Sequence, residues 1–175
     1  MSSDSSEDSS PRPRSVFDRI ESLNDWVFLA FLYAAQSLLV LPYSLTASAG
    51  AESADESAAW LLEYHPVIVF LYLVLLGPLL ETLVECTVSY KMMSWLFWGR
   101  KKRPRHPWGF IAFSAGIMAA SHPGWAAIYP SLATGALLAY AYARFARRSH
   151  WAAIGYTTLF HASINVVGWG FFLTV

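Results

Sequence analysis

The sequence predicts an all-α fold, a polytopic membrane helical bundle of about five transmembrane helices, and three observations carry that expectation. The 175 residues are 55% hydrophobic and 14% charged with a mean hydropathy of +0.38, which is more apolar surface than a soluble domain of this length could cover. Apolar stretches with few charges recur at the length of a membrane span. Charged residues are segregated, with basic clusters and an acidic loop standing where spans end.

The first fifteen residues, MSSDSSEDSSPRPRS, are rich in serine and acid and lack apolar periodicity, the composition of a disordered tail over 1–15. A cleavable signal peptide is not expected, because Arg12, Arg14 and Arg19 follow an acidic stretch and precede a full-length span. Val16 to Asp25 reads as a short interfacial helix. The first span is expected from about Trp26 to Leu45, and with its flanks and the acidic loop it makes up a segment over 16–65. A second, unusually long apolar stretch runs from about Val67 to Trp98, with Pro78 predicting a bend or break. Trp108 to Ser121 and Trp125 to Phe145 follow as a pair, separated by the helix-stopping His122-Pro123-Gly124. The last span starts at Trp151. The single cysteine, Cys86, lies within an apolar span, where it excludes an intramolecular disulfide framework and reads as core packing.

Orientation follows from the basic residues, since Lys and Arg near span ends are retained on the cytoplasmic side. Arg12, Arg14 and Arg19 precede the first span, Arg100 to Arg105 supply five basic residues between the second and third, and Arg144, Arg147 and Arg148 lie between the fourth and fifth. The loop after the first span is acidic, with Glu52, Asp55, Glu56 and Glu63. A five-span threading puts every basic cluster on one side, with a cytoplasmic N-terminus. Trp26, Trp60, Trp98, Trp108 and Trp151 stand near predicted span ends, where indoles anchor to headgroups. The twelve basic and twelve acidic side chains cancel, so net charge argues neither way on nucleic acid. No nucleic-acid partner is expected, and the bilayer is the expected surroundings.

Within these spans stand Glu81, His122 and His161, with Asn165 one turn beyond the last. An ionisable group at bilayer depth costs several kcal/mol by the lower estimates of about 2.5–3.5, so three on separate spans point to a buried polar site. Depth agrees: at about 1.5 Å per residue, Glu81 falls near the middle of its stretch and His161 roughly 15 Å into the fifth span. Glu81 and Glu85 share a helix face at i, i+4, as do His161 and Asn165. Glu85 reads as a secondary partner. One carboxylate with two imidazoles suits two chemistries. The carboxylate can deprotonate water while a histidine supports an oxyanion or protonates a leaving group. Alternatively, His122 and His161, with Glu81, can hold a divalent metal such as zinc that activates the water. There is no His-Glu-x-x-His pair on one helix, so a metal site would be assembled from separate helices. His65, His106 and His150, beside loops or basic clusters, read as solvated, and Gly135 as close helix packing.

The run Gly77-Pro78-Leu79-Leu80-Glu81, then Ser121-His122, then Gly135-Ala136-Leu137-Leu138, and finally Phe160-His161-Ala162-Ser163-Ile164-Asn165 resembles the CPBP intramembrane proteases, the CAAX protease and bacteriocin-processing group also called Abi proteins. The resemblance covers 66–175. It implies an endopeptidase acting on a membrane-associated protein or peptide, with Glu81 as general base, His122 and His161 as catalytic histidines and Asn165 as oxyanion partner. Bacterial members are also linked to bacteriocin maturation and self-immunity, and the expected location is the cell membrane of a prokaryote.

The chain departs from the family pattern at three places. Thr82 stands where the second family glutamate would be, Cys86 where its arginine would be, and Met118 at the aromatic of the second motif. Losing a glutamate and an arginine together removes a potential ion pair, a coordinated replacement. The competing expectation is therefore an inactive relative acting as a membrane scaffold or immunity factor. A small proton-linked transporter ranks third, since the chain shows no evident repeat of the kind many carriers have.

Overall fold

A computed structural model describes residues 15–47, 64–98, 107–122 and 125–172, and among them every regular element is helical, with no strand. Helix α1, Val16–Glu21, is the short helix expected before the first span. Its start is a reciprocal cap: Asp18 N–H donates to Ser15 Oγ at 3.1 Å and Ser15 N–H to Asp18 Oδ2 at 2.9 Å. Helix α2, Asp25–Ala47, follows, with Trp26 N–H donating to Asn24 Oδ1 at 2.9 Å just inside its start. Helix α3 is a continuous helical run in six segments, Pro66–Phe70, Leu71–Leu76, Gly77–Glu81, Thr82–Val88, Ser89–Met93 and Ser94–Trp98, of which the second, fourth and sixth are π-helical. Pro78 does not break it as expected; the proline sits at the second residue of an α-helical segment that begins where a π turn ends. Helices α4, Trp108–Ser121, α5, Trp125–Ala146, and α6, His150–Phe172, complete the bundle.

Among the described residues, two helices are long and apolar enough to cross a membrane, over Asp25–Tyr43 and Pro66–Phe97, with mean hydropathies of 1.6 and 2.4. Their outer faces carry exposed Leu38, Leu75, Val84 and Val88, an apolar surface that water does not favour. Helix α4 is apolar but has 14 residues, and at about 1.5 Å per residue it is shorter than a hydrocarbon core of about 30 Å. Helices α5 and α6, of 22 and 23 residues, have the length but fall below the same apolarity because Tyr, Ser, Thr and His interrupt them.

Side-chain contacts fix the direction of each helix. At one end, Arg147 pairs with Glu21 at 2.5 Å and Arg148 with Asp25 at 2.6 Å, joining the end of α5 to α1 and the start of α2. Arg144 is buried there; it donates to the Leu23 carbonyl at 2.5 Å, faces Asp25 at 3.4 Å and lies 3.8 Å over the Phe28 ring. At the same end Tyr90 of α3 meets Phe110 of α4 and Tyr142 of α5, with centroids 5.1 and 5.5 Å apart. At the other end Phe70 of α3 meets Trp169 of α6 at 6.2 Å. Successive long helices therefore alternate in direction. The start of α2 and the end of α5 share an end, as the basic residues at Arg19 and Arg144 to Arg148 imply. The basic cluster at 100–105, the acidic loop at 52–63, Arg12, Arg14, Trp60 and His106 lie outside the described residues.

The core lies among α2, α4, α5 and α6, where Phe28, Leu32, Phe110, Leu138, Tyr142, Phe145 and Phe160 are buried. Helices α4 and α5 approach closely at Gly135. A Cβ there would stand 2.9 Å from both Ala115 Cα and Met118 Cβ, so only hydrogen fits, which agrees with the packing role expected for this glycine.

Replacing Arg144 with alanine leaves the Leu23 carbonyl without its donor and the Phe28 ring without its cation while Arg148 keeps Asp25 paired, and is expected to lower stability by about 1–3 kcal/mol, against under about 1 kcal/mol for the more exposed Arg148→Ala. Thermal unfolding of the detergent-solubilised protein measures both. Gly135→Val, read in the same assay, is expected to cost about 1–3 kcal/mol by overpacking the α4–α5 contact.

Candidate functional site

Glu81 closes an α-helical segment of α3 and His161 lies past the middle of α6, and the packing of these two helices brings their side chains together. His161 Nε2 is 3.4 Å from Glu81 Oε2, with the histidine buried and the carboxyl one-third exposed. This contact joins residues 80 positions apart and is looser than a good hydrogen bond. Both groups keep unused capacity: Glu81 Oε2 and His161 Nδ1 are buried without a hydrogen-bond partner. Thr82 and Thr157, also fully buried, have hydroxyls in the same condition, and Thr157 lies one turn before His161 on α6. Unsatisfied polar atoms concentrated along two packed helices mark a place for water or a polar ligand, because leaving each one unpaired costs about 1–3 kcal/mol.

Helix α4 supplies the third side. Ser114 and Ser121, seven residues apart, share a face toward α3. Ser114 Oγ donates to the Glu85 carbonyl at 2.9 Å, and Ser121 Oγ lies 2.9 Å from Glu85 Oε1 as donor. Glu85 is thus buried and held by α4. His122 stands at the C-terminal end of α4 with Nδ1 2.8 Å from the Met118 carbonyl. A carbonyl only accepts, so Nδ1 carries the hydrogen and Nε2 is left as an acceptor. The residue therefore caps a helix end, and from there it lies within electrostatic reach of Glu81, Glu85 and His161.

Asn165 is placed differently. Its Nδ2 donates to the Leu73 carbonyl of α3 at 2.7 Å, so the amide is directed along α3 toward the Phe70–Trp169 end and neither orients His161 nor faces Glu81 through that hydrogen bond. Of the other histidines, His65 is exposed and caps the start of α3, and exposed His150 touches the Tyr142 hydroxyl at 3.3 Å. Thr82 and Cys86, where the family pattern would carry charge, are buried, with Cys86 Sγ 3.9 Å from Ser114 Oγ. Ser114 and Thr157 are the site residues that sequence reasoning missed, and Ser121 and Thr82 entered it only through the family pattern, without the contacts they make. The i, i+7 spacing of Ser114 and Ser121 on an otherwise apolar helix was the available signal.

Among the described residues no three His, Cys, Asp or Glu side chains converge closely enough to hold a metal ion. What the geometry does supply is a carboxylate in contact with an imidazole, a second imidazole nearby, and unpaired polar atoms around them, a set able to take a proton from water and pass it on. No family model matches the chain, no curated protein matches it, and no solved structure matches it.

Ser121→Ala removes the donor on buried Glu85 and is expected to cost about 1–2 kcal/mol. The control is Ser163→Ala, whose hydroxyl bonds only its own helix at the Phe160 carbonyl at 2.6 Å. Its effect in thermal unfolding is expected to be smaller.

Proposed function

We propose that the chain is an intramembrane endopeptidase of the CPBP type, a five-span protein of the cell membrane with a cytoplasmic N-terminus, hydrolysing a peptide bond in a membrane-associated substrate. The observation that carries this reading is the Glu81–His161 contact at 3.4 Å, made between two helices among unpaired polar atoms. A five-span threading is supported by the alternation of helix direction and by the side that Arg144, Arg147 and Arg148 share with α1 and the start of α2. Helix α4, too short to cross alone, then ends at membrane depth with His122 at its tip. Broken backbone at that depth is tolerated where it lines a water-filled or protein-enclosed cavity.

In this reading the Glu81 carboxylate takes a proton from water as the water oxygen bonds to the scissile carbonyl carbon. His161 holds the carboxylate from α6, and His122, once protonated at Nε2, is the group at the end of α4 available to polarise the carbonyl and stabilise its negative oxygen. Collapse of the tetrahedral intermediate breaks the carbon–nitrogen bond, and the proton held by Glu81 passes to the leaving amine. Electrons and protons balance without a further reactant. Asn165, turned to Leu73, is assigned to the support of α3 rather than to the oxyanion.

One observation favours the second reading, an inactive relative acting as scaffold or immunity factor. Thr82 and Cys86 are buried and carry no charge, which leaves the family's second carboxylate and its arginine without counterparts there. The two readings separate on Glu81→Gln, which keeps shape and removes the base. Comparison of protein termini and membrane-derived peptides from native host cells carrying either chain is expected to show a cleavage present with the original and lost with the variant. Identical profiles from equally abundant, folded proteins would sink the peptidase reading in favour of the scaffold.

A further inference from the structure

The backbone of α3 has a carbonyl that its own helix does not serve. In the π turn Leu71–Leu76 hydrogen bonds run from each N–H to the carbonyl five residues back, and Gly77 N–H donates in this way to Tyr72. The next bond in that register would run from residue 78 to Leu73. Residue 78 is proline and has no N–H. The α-helical alternative for Leu73 is the Gly77 N–H, which is directed to Tyr72 instead. Asn165 Nδ2 occupies the vacated position, donating to the Leu73 carbonyl at 2.7 Å from the neighbouring helix. In an apolar surrounding no water replaces such a donor, so a freed carbonyl is met by a neighbouring side chain or left at a cost.

We infer that Asn165 is a positioning residue: by supplying the hydrogen bond that Pro78 cannot, it holds the π turn of α3 and so sets the rotation at which Glu81 faces His161. A π turn carries one residue more than an α turn, so relaxing it to α would rotate everything beyond by about 100° around the helix axis. Glu81 lies five residues past the turn and has no side-chain hydrogen bond holding Oε2 in place. Thr82, beside it, is buried while Val84 is 58% exposed, so the same rotation would turn Thr82 partly out of the core and Val84 partly off the outer face. The value of this device to catalysis rests on the peptidase reading. The rotation and the hydrogen bond do not, and the experiment below uses no activity.

The full chain is purified in detergent as Asn165→Leu, Pro78→Ala and the double variant. Asn165→Leu is expected to lower Tm by roughly 5 °C through the unpaired Leu73 carbonyl. Pro78→Ala restores a backbone N–H, so adding Asn165→Leu to it is expected to change Tm little. Equal losses from Asn165→Leu in both backgrounds would overturn the coupling. If Asn165→Leu alone fails to fold, recovery of folded protein in the Pro78→Ala background is the expected result, and failure to recover overturns the inference. The rotation is read by maleimide labelling of Thr82→Cys and Val84→Cys in a Cys86→Ser chain. Asn165→Leu in the chain that keeps Pro78 is expected to raise labelling at 82 and lower it at 84 several-fold, whereas in the Pro78→Ala background the restored N–H serves Leu73 in the same π register and labelling is expected to stay as it was. Unchanged labelling at both positions on Asn165→Leu in the chain that keeps Pro78 would overturn the positioning role.

Discussion

The close approach of α4 to α5 at Gly135 sets where the polar residues of the bundle can meet. With no side chain at 135, α4 settles against α5 through Ala115 and Met118, and this leaves the Ser114 and Ser121 face turned toward α3. Those serines then take up Glu85 by its carbonyl and its carboxyl, which fixes the middle of α3 against α4. His122, one residue beyond Ser121, is delivered to the same place by the end of the helix. A bulkier residue at 135 would push α4 outward and carry both serines and the histidine with it.

Helix α3 pays for its irregular backbone in hydrogen bonds from outside. Its three π-helical segments alternate with short α-helical ones, and Glu81 lies between two of them. Such turns widen the helix and re-aim side chains, which is why they collect at functional sites. Thr87 Oγ donates to the Thr82 carbonyl at 3.2 Å, Ser114 to that of Glu85 and Asn165 to that of Leu73, so side chains from α3 itself, α4 and α6 each serve one carbonyl of this run. The catalytic proposal and the support of α3 thus meet on α6, where His161 and Asn165, one turn apart, touch the same helix at different heights.

The contrast between the two ends of the site is chemical. Toward the Arg144 end the bundle closes with aromatic rings and paired charges, a satisfied arrangement apart from Arg144 Nη1 and the Tyr140 hydroxyl. Around Glu81 and His161 the unpaired atoms gather instead. Buried polar atoms left unpaired by the protein are places where ordered water can bind.

Much of the fold was legible in the sequence because apolar span length, proline and glycine punctuation and capping residues act locally. The helices over 16–21, 25–47, 108–121, 125–146 and 150–172 all begin and end within a few residues of positions the chain itself announces. The residue types of the site were legible for the same reason, since Glu81, His122 and His161 stand out against apolar neighbours. Their partners were not. Whether Asn165 serves an oxyanion or a backbone carbonyl depends on the register of α3, and that register depends on hydrogen bonds from a helix more than 80 residues away in sequence. The continuity of α3 through Pro78 likewise rests on a donor from α6, which no local rule about proline contains. Composition and periodicity dictate which segments become helices and which face carries polar groups, whereas rotation about each helix axis follows from packing and long-range hydrogen bonds, and it is rotation that puts a carboxylate beside an imidazole.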